Sequence, residues 1–190
     1  MAPITYLGNY DGEIYVCTRS DGMYILDPET GTVTDVRESW TVGSGRGQSC
    51  GQIHGDTLFA HSLDGVHAYS VGDDGLEWTT TNIDRPSTAP VVDNSLMVVG
   101  TESGNVYALD RPTGKIRWET NIDGTVGSIT TSPLRVWVAD SETGLTAYDR
   151  ENGNLVHRST KPLDGSDIIV VDEVLLLGGN GVRAYSIDSE

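Results

Sequence analysis

The chain has 190 residues, of which 37% are hydrophobic, 23 are glycine and only one is phenylalanine. This much glycine favours a chain with many tight turns over one built from long helices, because glycine weakens the interior of helices and strands and supplies positive φ in turns. The formal net charge of −16 excludes nucleic-acid-binding proteins and proteins held on anionic membranes, since both classes need basic patches.

The first forty residues predict four strands joined by short turns. The predicted strands are Ile4–Leu7, Ile14–Cys17, Met23–Asp27 and Thr32–Val36. The turn before the third strand ends at Gly22, and the turn after it begins with Pro28 and ends at Gly31. Proline early and glycine late are typical of a turn that needs a fixed φ followed by a positive one.

The third strand of this unit recurs along the chain. Its last residue, Asp or Ser, falls at positions 27, 70, 110, 149 and 186, and the spacings are 43, 40, 39 and 37 residues. The strand ends in a recurring four-residue phrase: Tyr24–Asp27, His67–Ser70, Tyr107–Asp110, Thr146–Asp149 and Arg183–Ser186. An apolar residue directly precedes this phrase each time, two positions before its second residue, which is small or aliphatic: Met23, Val66, Val106, Leu145 and Val182. A spacing of two is the period of a β-strand. Both faces of this strand are mostly apolar, which suits a sheet packed between two others.

The neighbouring strands repeat as well. The first strands of repeats two to five are predicted at Cys50–Ile53, Ala89–Val92, Ser128–Thr131 and Ile168–Val171. The second strands are predicted at Leu58–His61, Leu96–Val99, Val136–Ala139 and Val174–Leu177. Fourth strands are predicted at Leu76–Thr79, Ile116–Glu119 and Leu155–His157. A four-stranded meander of about 40 residues is typical of a β-propeller blade.

We therefore predict a single all-β propeller domain over residues 1–190, with blades at about 1–40, 41–82, 83–121, 122–160 and 161–190. A β-sandwich or a β-solenoid is the alternative, but a sandwich needs no repeated phrase and solenoid coils are usually shorter. The last repeat ends without a fourth strand. A five-bladed ring with one three-stranded blade, a part of a larger ring, and an arc completed by another chain all remain open, and we favour the first. The incomplete blade could also join two copies of the chain.

The segment from Gly104 to Trp118, GNVYALDRPTGKIRW, resembles the PQQ-like propeller repeat, which is named after pyrroloquinoline quinone. Thr88–Val92 and Leu96–Thr101 are similar to the hairpin that precedes this motif in the family. The resemblance implies a docking motif of Ala, Gly and Trp that locks neighbouring blades. Carried over by position, this motif comprises Ala68, Gly75 and Trp78 in blade two and Ala108, Gly114 and Trp118 in blade three. Blade four departs from the family pattern, with His157 at the tryptophan position.

No catalytic or metal-binding motif stands out. The four histidines show no ligand spacing, and Gly43–Gly47 lacks the lysine of a phosphate loop. Ligands of propellers usually bind where the connections between blades meet the central channel. By repeat position, we predict that Arg46, Gln48, Ser87, Ser128, Ser166 and Asp167 lie at that mouth.

We predict a non-catalytic binding or scaffold module for a protein or a small ligand, with no metal and no cofactor. The resemblance also implies an alternative, a PQQ-dependent oxidoreductase, and a lectin-like carbohydrate-binding propeller is a further alternative. The chain has no adjacent cysteine pair of the kind found in the quinone enzymes, and two cysteines do not make a disulfide framework. The N-terminus shows no secretory signal, so we expect a cytoplasmic protein. With 18 Asp, 10 Glu and only 2 Lys, the composition is similar to that of haloarchaeal proteins.

Overall fold

The computed structural model describes residues 4–18, 22–37, 49–73, 75–140, 144–159, 167–179 and 181–187. Within these ranges, five antiparallel sheets follow one another along the chain. No helix in them is long and apolar enough to span a bilayer. The predicted all-β propeller of five repeats, four with four strands and the last with three, is confirmed.

Each sheet is a meander whose strands pair in sequence order. Blade one contains β1 (Ile4–Tyr10), β2 (Glu13–Thr18), β3 (Gly22–Leu26) and β4 (Val33–Arg37). Blade two contains β5 (Ser49–His54), β6 (Thr57–Ser62), β7 (Gly65–Ser70) and β8 (Leu76–Thr80). Blade three contains β9 (Val91–Val92), β10 (Leu96–Gly100), β11 (Asn105–Asp110) and β12 (Ile116–Asn121). Blade four contains β13 (Ser128–Thr131), β14 (Arg135–Asp140), β15 (Gly144–Asp149) and β16 (Leu155–Arg158). Blade five contains β17 (Ile168–Val171), β18 (Val174–Gly179) and β19 (Gly181–Ser186).

The aspartate that ends the repeated phrase organises the turn that follows it. In blade one, Asp27 Oδ1 accepts hydrogen bonds from the backbone N–H groups of Glu29 and Thr30, at 3.0 and 2.7 Å. These donors hold the pKa of Asp27 below its usual value. The Asp27 carbonyl accepts the N–H of Gly31, at 2.9 Å, and Gly31 has φ of +68°. The phrase therefore recurs because it encodes both a strand and the turn that returns the chain into the fourth strand.

Alternate side chains of each inner sheet face the blade before and the blade after. In blade three, Val98 and Ala108 pack against blade four, whereas Val99 and Leu109 pack against blade two. All four are fully buried. Four apolar clusters result, one between each pair of consecutive sheets. The alternating side chains of the repeated phrase thus hold the blades together, because each inner sheet buries both of its faces.

The first and last sheets differ from the inner ones. Within the described residues, no apolar cluster joins blade one to blade five. The last strand, β19, is exposed along its whole length. Among the residues that the structure describes, the closed five-bladed ring favoured by the sequence is thus not seen as a core shared by the two ends.

Cys17 lies in the cluster between blades one and two and is disulfide-bonded. The other cysteine of the chain is Cys50, whose side chain lies outside the described part. The sequence did not indicate this bond, because two cysteines 33 positions apart carry no spacing signal.

Candidate functional site

One end of every sheet carries the hairpin between its second and third strands together with the connection to the next blade. We call this end the upper face and the opposite end the lower face. Of the residues predicted at the channel mouth, Ser87, Ser128 and Asp167 are described and all belong to the upper-face connections or the strand starts beside them. Arg46, Gln48 and Ser166 lie outside the described residues. The ligand-binding role of these six residues remains a prediction.

The two serines are engaged in contacts between blades. Ser87 Oγ donates to the carbonyl of Val126 at 2.9 Å, which ties the connection into blade three to the connection leaving it. Ser128 Oγ accepts the N–H of Ile168 at 3.3 Å and so joins the first strands of blades four and five. Asp167 is exposed, and its carbonyl accepts the N–H of Gly178 at 2.8 Å. Of the three described residues, Asp167 is the one whose side chain is open to a partner.

A network of side-chain hydrogen bonds holds the turns of blade three in place at the upper face. Asp84 Oδ2 accepts hydrogen bonds from Ser103 Oγ, at 2.8 Å, and from the side-chain amide of Asn105. The Asn121 amide donates to Asn105 Oδ1 at 2.6 Å, and Thr125 Oγ1 donates to the carbonyl of Glu102 at 3.1 Å. The sequence does not predict this network. Its members come from three separate turns, and the only available signal was the run of short polar residues at the strand ends.

The described turns and connections of the upper face are acidic. The charged side chains in its described turns and connections are Asp64, Asp84, Glu102, Asp123, Asp167 and Arg85. The single base among them, Arg85, forms an exposed ion pair with Glu102 at 3.3 Å. Such a surface attracts a cationic partner and repels an anionic one, through an effect that salt screens.

A serine and a histidine meet inside blade two. Ser62 Oγ lies 2.9 Å from His67 Nε2, and His67 Nδ1 lies 2.7 Å from Thr79 Oγ1. The third member is a hydroxyl and not the carboxylate that would orient and charge-stabilise a catalytic imidazole. Ser62 is buried and also accepts the N–H of Asp64 at 3.1 Å. The arrangement therefore anchors the hairpin at residues 62–65 and does not present a nucleophile to a substrate.

The docking residues pair across blades. The Trp78 ring of blade two lies on Gly114 of blade three, where an added Cβ would come 2.4 Å from the ring. Its Nε1 donates to the carbonyl of Arg111 at 3.0 Å. Trp118 of blade three is placed alike, over Gly153 of blade four, with Nε1 donating to the carbonyl of Arg150 at 2.8 Å. Each of these two tryptophans thus packs on the glycine of the following blade.

Of the remaining predicted docking positions, the two alanines fit this scheme and Gly75 does not. Ala68 and Ala108 are fully buried, and each is the cross-strand partner of the tryptophan of its own blade. A Cβ on Gly75 would meet only the side chain of its own neighbour Asp73. His157 occupies the tryptophan position opposite Ala147 in blade four and is exposed. Tight docking therefore joins blades two, three and four.

The described residues do not fit a quinone–calcium site. They contain no group of three or more His, Cys, Asp or Glu side chains that could hold a metal ion. A pocket of about 130 Å³ lies between blades four and five and is lined by Leu134, Trp137, Asp172 and Ile187, among others. This volume is well below the range of about 300–1,000 Å³ that is usual for cofactor-sized ligands.

Comparisons with known proteins identify the repeats. The family model described as "Outer membrane protein assembly factor BamB", a PQQ-like repeat family, matches residues 38–190. The uncharacterized protein 198R of Invertebrate iridescent virus 6 is 32% identical over 97 residues, which are 50% of this chain and 21% of that protein.

Solved structures agree on the fold. The computationally designed Ika8 protein superposes on 97% of this chain with a TM-score of 0.78 and 13% identity. BamB from Moraxella catarrhalis superposes on 97% of it with a TM-score of 0.68 and 19% identity. This chain spans only 58% and 62% of those two chains. A third structure, the designed Ika4 protein, has a TM-score of 0.63 and 14% identity over 72% of this chain and 88% of its own. The predicted PQQ-like propeller is confirmed, and the chain belongs to the BamB family of PQQ-like repeat propellers.

Proposed function

We propose that this propeller is a non-catalytic scaffold that binds a protein partner carrying a basic surface, and that the upper face holds it. The family supports a scaffold function, since BamB, after which the matching family model is described, is by name an assembly factor. The observation that carries the proposal is the acidic upper face, whose connections are fixed by side-chain hydrogen bonds from Ser87, Ser103 and Thr125.

Rigid loops favour such a role because ordering a flexible loop on binding costs about 0.5–1.5 kcal/mol per immobilised side chain. In the described turns and connections of blade three, that ordering is already present in the free protein. Complementary charge raises the association rate and selects against anionic partners. The buried Ser62–His67 pair and the docking tryptophans are used inside the fold, whereas the exposed carboxylates of the described upper-face turns are available to a partner.

The test compares two variants with equal loss of charge. Asp64→Asn, Asp123→Asn and Asp167→Asn together remove three charges from the upper face. Glu29→Gln, Glu151→Gln and Glu173→Gln remove three from exposed lower-face turns. Affinity capture from the source cell, followed by titration of the recovered partner, should show affinity about tenfold weaker for the upper-face variant and unchanged for the lower-face variant. Equal affinities, or a partner without a basic surface, would refute the proposal.

We also infer that the net charge of −16 is an adaptation to high salt. Self-repulsion among exposed carboxylates destabilises the compact state, and salt screens it. The denaturation midpoint should then rise steeply between low and molar KCl. A midpoint that is flat over this range would contradict the inference.

A further inference from the structure

The pocket between blades four and five lies at the lower face of these two blades. Blade four contributes its β13–β14 turn and Trp137, and blade five contributes its β17–β18 turn and Ile187. An apolar cavity of about 150 Å³ holds one benzene molecule. The volume of this pocket, about 130 Å³, therefore gives room for one large side chain.

The preceding interface shows what fills the equivalent place between blades three and four. Arg150 directly follows the repeated phrase of blade four, and its backbone N–H donates to the carbonyl of Leu134 at 3.0 Å. Ile187 directly follows the phrase of blade five, and its N–H donates to the carbonyl of Glu173 at 2.8 Å. Ile187 is therefore the counterpart of Arg150, and the pocket is the counterpart of the site that the Arg150 side chain fills.

The site between blades three and four is an ion pair. The Arg150 guanidinium contacts both carboxylate oxygens of Asp93 at 2.6 Å and donates to Ser95 Oγ at 3.3 Å. In the equivalent turn of blade four, these two positions carry Ser132 and Leu134, and both turns are closed by the same backbone hydrogen bond from the first residue to the fourth. A hydroxyl and an aliphatic side chain thus replace the two groups that hold the guanidinium.

The pocket is therefore an apolar version of the ion-pair site. All three positions of that site carry a less polar residue here, namely a serine, a leucine and an isoleucine. A buried wall is added by Trp137, which takes the place of Val98, since each is the cross-strand partner of the alanine of its phrase. Leu134 lies at the rim and is 53% exposed. An apolar lining of this kind favours an apolar ligand over a charged one.

The charges at the rim are net negative. Asp172 and Glu173 line the blade-five side and are exposed. Within the described ranges, neither carboxylate forms an ion pair. The basic residue of the lining, Arg135, lies over the Trp137 ring, with its Cζ 6.0 Å from the ring centroid. Two carboxylates against one guanidinium favour a ligand that carries positive charge beside its apolar group.

We propose that this pocket binds one leucine- or phenylalanine-sized side chain of a second protein, in a segment where a lysine or arginine stands next to it. The apolar side chain packs against Trp137 and Ile187, and the carboxylates of Asp172 and Glu173 select the basic neighbour. The pocket lies at the opposite end of the sheets from the acidic upper face. Its ligand is therefore not the partner proposed for that face, and the two sites are tested independently.

The test uses short blocked peptides as probes. Acetyl-Lys-Leu-Lys-amide and acetyl-Lys-Phe-Lys-amide are titrated into the isotope-labelled full chain, and the indole N–H signal of Trp137 is followed by NMR, with Trp137→Phe to assign it. At least one of the two probes should shift this signal with an affinity about tenfold higher than that of acetyl-Lys-Ala-Lys-amide, because alanine loses most of the buried contact.

Two leucines of blade four separate the pocket from the general surface. Leu134→Ser should weaken binding of the better probe about fivefold, because it removes part of the apolar rim. Leu155→Ser is the matched control, since Leu155 is 51% exposed on the same blade but does not line the pocket. This control should leave the affinity unchanged, and equal effects of the two substitutions would place the probe elsewhere.

The charged rim is tested through the flanking residues of the probe. Acetyl-Glu-Leu-Glu-amide should bind about threefold more weakly than its lysine counterpart, and Asp172→Asn with Glu173→Gln should remove this preference. Asparagine suits position 172, where φ is +54°. A preference that survives both substitutions would remove the carboxylates from the site.

Rebuilding the ion pair should close the pocket. The combined substitutions Ser132→Asp, Leu134→Ser and Ile187→Arg copy the site of blades three and four, and they should abolish the shift of the Trp137 signal because the new guanidinium occupies the space. Should this variant fail to fold, Leu134→Ser still decides the matter. The proposal is overturned if neither probe shifts the signal, if the alanine probe binds equally well, or if the rebuilt variant binds as before. A dimer of the free chain that Leu134→Ser dissociates would instead make a second copy the occupant.

Discussion

The inner blade interfaces, between blades two and three and between blades three and four, are built from strands equivalent to those of the outer interface between blades four and five. The contacts that hold the two kinds of interface together differ. Between blades two and three and between blades three and four, an indole covers a glycine of the next blade and donates a hydrogen bond to its backbone. Between blades four and five, the described contacts are an apolar cluster and hydrogen bonds from backbone N–H groups to Ser128 and Thr130. Stability in a repeat protein is close to a sum of nearest-neighbour terms, so the middle blades should form its most stable part.

Removing the indole of Trp118 should have the largest effect. Trp118→Ala deletes a buried ring and its bond to the Arg150 carbonyl, and we expect a loss of about 3–5 kcal/mol in the free energy of unfolding. His157→Ala, at the same repeat position in blade four, should cost less than about 0.5 kcal/mol because that ring is exposed. Urea denaturation of both variants measures the difference. Similar losses would show that the tryptophan position is not what distinguishes the inner interfaces.

Much of this fold follows from the sequence, because its signal is local. The repeated phrase fixes the strand, its two faces and the Asp27-type turn within a few residues. The ring size does not follow, since curvature depends on how Tyr107 and Val106 pack on neighbouring sheets. The Asp84–Asn105–Asn121 network could not be predicted, because its members are brought together only by the folding of the meander. Which glycine each tryptophan covers could not be predicted either, because that contact depends on how the blades stack.

A second comparison isolates the docking contact from backbone strain. Gly114 and Gly31 occupy the same turn with φ of +67° and +68°, but only Gly114 lies under a tryptophan. Alanine at Gly31 meets nothing within 4 Å, so it carries the strain of positive φ alone, about 1 kcal/mol. Gly114→Ala should cost about 1–3 kcal/mol more, because its methyl group displaces the Trp78 ring.

Thermal denaturation of Gly31→Ala and Gly114→Ala measures this difference. Gly153→Ala tests the same contact a second time, because Gly153 lies under Trp118. If Gly31→Ala and Gly114→Ala were equally destabilising, the close approach of the indole would contribute nothing to stability.

Acid should weaken blade two through its buried histidine. Burial, with a smaller contribution from nearby His67, lowers the pKa of His61 to about 4. Among the described residues His61 Nδ1 has no hydrogen-bond partner. The folded state then binds a proton less tightly than the unfolded state does, so stability is complete above pH 6.5 and falls as the pH drops from about 6.5 to 4.

The expected loss over this range is on the order of 3 kcal/mol. Burial also lowers the pKa of His67, which adds to the slope in the same direction. Urea titrations at several pH values should give a shallower slope for His61→Gln than for the wild type. An identical slope for the two proteins would show that the imidazole is protonated without cost in the fold.

The smallest effect concerns an ion pair that crosses from blade three to blade four. Arg150 binds Asp93 through two contacts of 2.6 Å, and both side chains are largely buried. Burial by itself would raise the pKa of Asp93, but the hydrogen bonds from Arg150 and from two backbone N–H groups lower it. This stabilisation is present above the usual carboxyl pKa and is lost as the pH falls through the lowered value.

The pair Arg117–Asp110, at 2.7 Å, lies within blade three and is the matched control. A double-mutant cycle on Arg150→Gln and Asp93→Asn should give a coupling of about 1 kcal/mol, and the control cycle less than about 0.5 kcal/mol. Equal couplings would mean that crossing between blades gives the ion pair no advantage. The interface between blades three and four would then be stabilised mainly by the contact of Trp118 with Gly153. The tryptophan would be the feature that distinguishes the inner interfaces from the outer one.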